Sequence, residues 1–220
     1  MSIRKLGSHV FGGQTLLARI IWGLLALDAM LAAWEGVWSL TFIALATLAL
    51  SMTPMLVAKW ADVTVPPVFI TAIVLFVAST LFLGEVYDFY NRFWWWDAIM
   101  HGGSAIGFGL IGFVLVFMMF QGDRFAAPHG AVAFFAFCFA LAIGAIWEIF
   151  EFAMDQTFGL NMQKSGLMDT MWDLIVDMIG AFFGALSGYT YLKGRDKGWL
   201  SGLIADFIAR NPRLFAKRWK

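Results

Sequence analysis

Three clusters of ionisable residues sit inside stretches apolar enough to be buried in a membrane, and they carry whatever chemistry this sequence offers. Asp169, Asp173 and Asp177 recur at every fourth residue of the segment Met168–Gly188. A helix puts them on one stripe, which Gly180, Gly184 and Gly188 continue. Asp97 and His101, four residues apart, share a face of a second segment. Glu148, Glu151 and Asp155 fall within about 60° of one another around a third. Ionisable side chains at membrane depth are costly, and a functional site is the default reading.

Depth separates the roles. Asp97 and Asp169 open their segments, where aspartate is a good helix cap. His101, Asp173 and Asp177 are too deep to cap; at about 1.5 Å per residue Asp177 lies roughly 12 Å beyond Asp169. Glu148, Glu151 and Asp155 are expected near a helix C-terminus, where negative charge is disfavoured, so capping does not account for them. Three arrangements could hold so many carboxylates together: shared protons, an ion-pair network with Arg92 and Lys164, or a divalent cation. The ion-pair network is short of cations. Carboxylates with one imidazole suit Mg, Mn, Fe or Zn. The leading expectation is a divalent-metal site with Asp97, His101, Asp173 and Asp177 as ligands and Glu148 or Glu151 as general base. The Glu-x-x-His pattern of di-iron bundles is absent, which leaves the metal's identity open.

The elements that must position these residues follow from composition. The 220 residues are 61% hydrophobic and 14% charged, with a mean hydropathy of +0.77. Soluble domains are roughly 45–50% apolar. Six spans of about 20 residues fit, near Leu16–Trp34, Val37–Ala58, Pro67–Val86, Trp94–Phe120, Gly130–Ala153 and Asp169–Leu192. The expected fold is an all-α polytopic membrane helix bundle with a C-terminal amphipathic surface helix. One transmembrane domain over residues 1–195 and a basic cytoplasmic tail over 196–220 are expected. The first apolar segment is longer than a signal-peptide core and reads as retained. The single cysteine, Cys138, excludes an intrachain disulfide and a cysteine-rich metal site.

Charge sets the expected orientation. Of 15 Lys and Arg residues, 13 fall on the side of both termini, which the positive-inside rule makes cytoplasmic. Eleven of 15 acids fall on, or within a few turns of, the opposite side. The second and third clusters above then meet Asp169–Asp177 in one outer third of the membrane. That agreement is a test, because counting Lys and Arg ignores the clusters. A multi-pass location in a cytoplasmic membrane, with both termini in the cytoplasm, is expected. The net charge of +0 gives no reason to expect nucleic acid, and membrane lipids are the expected partners.

Three further features bear on packing and partners. The glycine repeats at 180, 184, 188 and at 103, 107 allow close helix approach, either within the bundle or as the seam of a homodimer or larger membrane complex. Residues Trp199 to Ile208 form an amphipathic pattern stopped by Asn211-Pro212, suited to the anionic inner membrane face or to a docking partner. The aromatic run Tyr87–Trp96 suits a membrane–water interface, with lipid-headgroup recognition as the alternative. Trp96–His101 and Trp172–Asp177 resemble each other, which suggests that their helices present equivalent faces.

The order of the clusters resembles the YjdF-like family of bacterial inner-membrane proteins and, more distantly, VanZ-like proteins. The matching residues are Asp97 and His101, then Glu148 and Glu151, then Asp169-Thr170 with Asp173 and Gly180-Ala181. Gly102 stands where the family usually has an aromatic, the turn before Asp169 lacks the family's acidic residue, and Asp177 is an added acid. The resemblance implies a polytopic membrane protein and no defined activity. The residues themselves favour action on a lipid or lipid-linked substrate. A cation or proton transporter, and a non-catalytic subunit or assembly factor, stay open, and so does whether the protein is an enzyme. The apolar inner halves of the last three spans weigh against a transport route.

Overall fold

A computed structural model of the chain describes residues 13–120, 126–195 and 198–215. Arg4, Lys5, Asp123, Arg124, Asp196, Lys197 and the end of the basic tail lie outside the described residues. Every regular element among the described residues is helical. The helices are α1 (Leu16–Trp34), α2 (Trp38–Trp60), α3 (Pro67–Val77), α4 (Phe89–Arg92), α5 (Trp96–Met119), α6 (His129–Phe158), α7 (Leu167–Leu192) and α8 (Trp199–Arg210). A π-helical stretch, Ala78–Val86, extends α3, and a 3₁₀ turn, Pro212–Leu214, follows α8. Six helices are long and apolar enough to cross a membrane, α3 counting with its π-helical extension.

The residues explain these limits. Thr15 caps α1 through its side chain. Pro66 and Pro67 start α3 and Pro128 starts α6, where a missing N–H costs nothing. Gly159, at a φ of +67°, ends α6 in the left-handed conformation that glycine takes without strain. The helix therefore runs to Phe158, past the expected end at Ala153, and takes in Asp155.

The chain divides into two compact units, residues 1–96 and 97–220. In the first, α1 buries Ala18, Trp22, Leu25, Ala29 and Ala32, a single stripe of helical spacing. Leu16, Leu17, Ile20, Leu24, Leu27 and Leu31 stay exposed on the same helix. A helix apolar all round with one packed stripe is what a lipid-embedded segment requires. Trp22 and Ala18 pack against Ile70 and Val74 of α3. The Trp22 indole donates to Ser51 Oγ on α2 at 3.0 Å, and the Thr15 and Thr71 hydroxyls lie 2.6 Å apart. Before α5, Phe89 meets both Phe93 and Trp96 edge-on at 4.9 Å. Asp88, at a φ of +61°, accepts from Asn91 Nδ2 at 2.6 Å.

In the second unit, glycines set the helix spacing. A side chain on Gly180 would meet the Gly102 carbonyl at 2.5 Å, and one on Gly109 would meet the Gly184 backbone at 2.9 Å. Gly188 leaves room for the ring of Phe113. The glycine stripe of α7 is thus occupied by α5 of the same chain, while a side chain on Gly103 or Gly107 would meet nothing within 4 Å. Gly112 admits α6 at Ala136 and Phe139. At the other end of α5, Phe113 stacks on Phe117 at 5.7 Å, and Tyr191 lies edge-on to both at 6.0 Å. Helix α8 buries Ser201 and Ile204, and Phe215 just beyond it reaches Phe117 at 5.8 Å. Part of the amphipathic face is therefore used for packing within the chain, which leaves Trp199 exposed at its start.

Candidate metal centre

Helices α5, α6 and α7 bring His101, Glu148, Asp173 and Asp177 together, all buried, with 7%, 3%, 5% and 1% exposure. His101 is in the middle. Its Nδ1 lies 3.3 Å from both oxygens of Asp177. Its Nε2 lies 3.7 Å from Glu148 Oε1 and 3.9 Å from Asp97 Oδ1. Asp97 is half-buried, and Lys164 Nζ stands 4.0 Å from its other oxygen.

Local packing makes this geometry. Gly144 lies one turn before Glu148 on α6, and the Asp177 carboxylate occupies the space a side chain at Gly144 would need. Gly102 follows His101, and Gly180 follows Asp177 by three residues; their close approach puts the imidazole across from that carboxylate. The similar hexads Trp96–His101 and Trp172–Asp177 end on His101 and Asp177, which face each other.

The polar atoms are under-satisfied. Both oxygens of Glu148, Oδ2 of Asp173 and Oδ1 of Asp177 are buried without a hydrogen bond of good geometry, although the Thr170 hydroxyl stands beside Glu148. Buried polar groups are ordinarily paired, and an uncompensated buried charge costs several kcal/mol. An ionised carboxylate only accepts, so the hydrogen of the Nδ1–Asp177 bond sits on Nδ1, and Nε2 faces Glu148 and Asp97. Distances of 3.7 and 3.9 Å are too long for hydrogen bonds. They match the roughly 3–4 Å between two ligands that each stand about 2.1 Å from one ion.

Two sets of donors lie close enough together to hold a cation. One atom each from His101, Glu148 and Asp173 lie within 4.8 Å of one another, and so do atoms of Asp97, Asp169 and Asp173. All the residues expected as ligands are in this neighbourhood, with Asp177 on the far side of the imidazole ring from Nε2.

Several expectations change. Helix α7 is capped by Gly166 and α5 begins at Trp96, so Asp169 and Asp97 lie inside the first turn and do not cap. Asp169 joins the acidic group instead. Asp155 has a structural partner: its carboxylate accepts from the backbone N–H groups of Met162 at 2.7 Å and Gln163 at 2.9 Å. It fastens the α6–α7 loop. Glu151 is half-buried, and its Oε1 accepts from the Trp147 indole at 2.9 Å. Lys164, named with Arg92 as an ion-pair candidate for the acids, is brought by the α6–α7 loop beside Asp97. The recess at Gly144 was not singled out from the sequence, and only three-dimensional packing reveals it.

A family described as "Predicted membrane protein (DUF2238)" matches residues 15–194. An uncharacterised protein of Thermotoga maritima is 30% identical over 129 residues, covering 55% of this chain and 64% of the relative's length. No solved structure matches.

Proposed function

The chain belongs to the DUF2238 family of predicted membrane proteins, and we propose that it is a multi-pass inner-membrane protein of the YjdF-like kind, with a buried divalent-metal site. The site acts on a lipid or lipid-linked substrate. One observation carries the proposal: one donor atom each of the buried His101, Glu148 and Asp173 lie within 4.8 Å of one another, and Glu148 and Asp173 keep buried carboxylate oxygens without a hydrogen bond of good geometry. A cation satisfies all three at once.

His101, Glu148 and Asp173 hold the ion. Asp177 fixes the imidazole tautomer from behind, as carboxylates do for metal-bound histidines. Such an ion lowers the pKa of a bound water or polarises an ester oxygen. Glu151, one turn beyond Glu148, is the candidate general base for that water. The excess of Lys and Arg toward the termini supports cytoplasmic termini and a site opening toward the outer leaflet. The aromatic run before α5 supports a contact with lipid headgroups.

Metal analysis of the purified protein tests the proposal. The wild type is expected to carry a divalent ion at near-neutral pH, and His101→Ala and Asp173→Asn to lose it. A metal-free wild type that takes up none from added Mn or Zn overturns it. With metal present, uptake of the ion into proteoliposomes would favour a transporter over action on a lipid.

A further inference from the structure

We infer that the centre holds two divalent cations bridged by Asp173, an inference that rests on the single-ion reading and extends it. The two donor sets, His101–Glu148–Asp173 and Asp97–Asp169–Asp173, share one residue. That residue is buried, with Oδ2 unpartnered. A carboxylate has two oxygens and about four lone-pair directions, so it can serve an ion on each side. Asp97 and Asp169 are half-buried, which puts the second ion nearer the surface than the first.

Charge points the same way. Asp97, Glu148, Asp169, Asp173 and Asp177 contribute five carboxylates to this small volume, against Lys164 and the imidazole of His101, which ligates a metal as the neutral ring. One divalent ion and Lys164 leave the group net negative; two divalent ions and Lys164 bring its formal charge to zero. Uncompensated charge is what a low-dielectric site tolerates least.

The donor types also differ. The deeper set has an imidazole nitrogen and suits Mn, Fe or Zn; the outer set is all oxygen and suits Mg or Mn. Lys164, 4.0 Å from Asp97, competes for the outer site. In two-metal enzymes ions about 3.5–4 Å apart clamp the attacking and leaving oxygens of one substrate.

The test uses the full chain in detergent, stripped with a chelator and titrated with Mn²⁺. Bound metal is counted by elemental analysis after dialysis, and electron paramagnetic resonance reports coupling between neighbouring ions. Wild type should bind two Mn²⁺ per chain and give a broadened, coupled spectrum. Asp97→Asn combined with Asp169→Asn should bind one and give an isolated six-line spectrum. Lys164→Met should bind the second ion more tightly. One uncoupled ion in wild type, unaffected by these variants, overturns the bridged pair and leaves the single-ion site standing. No bound ion overturns both. The three substituted positions are all half-buried, and Lys164→Met keeps the test open if the double variant fails to fold.

Discussion

The carboxylate of Asp177 fills the place where a side chain on Gly144 would stand. One residue on α7 thus fixes both the distance to α6 and the orientation of His101 on α5. Gly144→Ala should destabilise the protein even though alanine favours a helix by about 0.8–1 kcal/mol. Overpacking costs about 1–3 kcal/mol, and here the displaced group is a buried carboxylate. Thermal unfolding in detergent should show a net loss of up to about 2 kcal/mol. Because the two positions are in contact, Gly144→Ala with Asp177→Ala should cost less than the sum of the single changes.

Asp177→Asn keeps the shape and removes the charge behind the imidazole. Carboxylates in that position typically change metal affinity by about 10–100-fold. A loss of that size, with helix content unchanged by circular dichroism, is expected. An unchanged affinity would show that Asp177 does not tune the ring.

Removing the metal should lower stability by mass action. At a free-ion concentration of about 100 Kd, a bound ion stabilises by about 2.7 kcal/mol. Adding Mn or Zn to chelator-treated wild type should raise its Tm, and His101→Ala should show no such rise.

Gly184→Leu would force apart α5 and α7, whose backbones touch at Gly109 and Gly184. The expected loss exceeds the usual overpacking range of about 1–3 kcal/mol, because backbone cannot yield as a side chain does. Gly103→Leu, at a position with nothing within 4 Å in the chain, should leave monomer stability nearly unchanged. A change in oligomer size in Gly103→Leu would identify that glycine as part of a seam between chains.

Asp155→Ala should release the α6–α7 loop. It removes two charge-assisted bonds to the backbone N–H groups of Met162 and Gln163, each of about 1.5–3 kcal/mol at most. Hydrogen exchange at residues 160–166 should accelerate. Metal content should hold, since Asp155 belongs to neither donor set.

Much of this was legible in the sequence because membrane burial makes few demands. Long apolar runs gave the first span to the residue, and prolines marked the starts of α3 and α6. A four-residue period put Asp173 and Asp177 on one face with the glycines. The roles of the acids were harder to read. Asp155 looked like a member of the cluster because helical spacing says where a side chain starts and nothing about which loop folds back to meet it. Asp97 and Asp169 looked like caps because helix starts are uncertain by a residue or two, enough to turn a cap into a first-turn residue. The π-helical extension of α3 has no signature in composition.

On α7 the aspartates and the glycines share one stripe, 169 to 177 followed by 180 to 188. Donor geometry and helix contact are consequently set by a single angular phase. Deleting one residue between Asp177 and Gly180 would turn everything beyond it by about 100°, away from α5, while the acids stayed behind. No rotation of this helix could retune its ligands and leave its seam intact. Change in such a site has to come from the identities of side chains, or from α6 and the loop that Asp155 ties down.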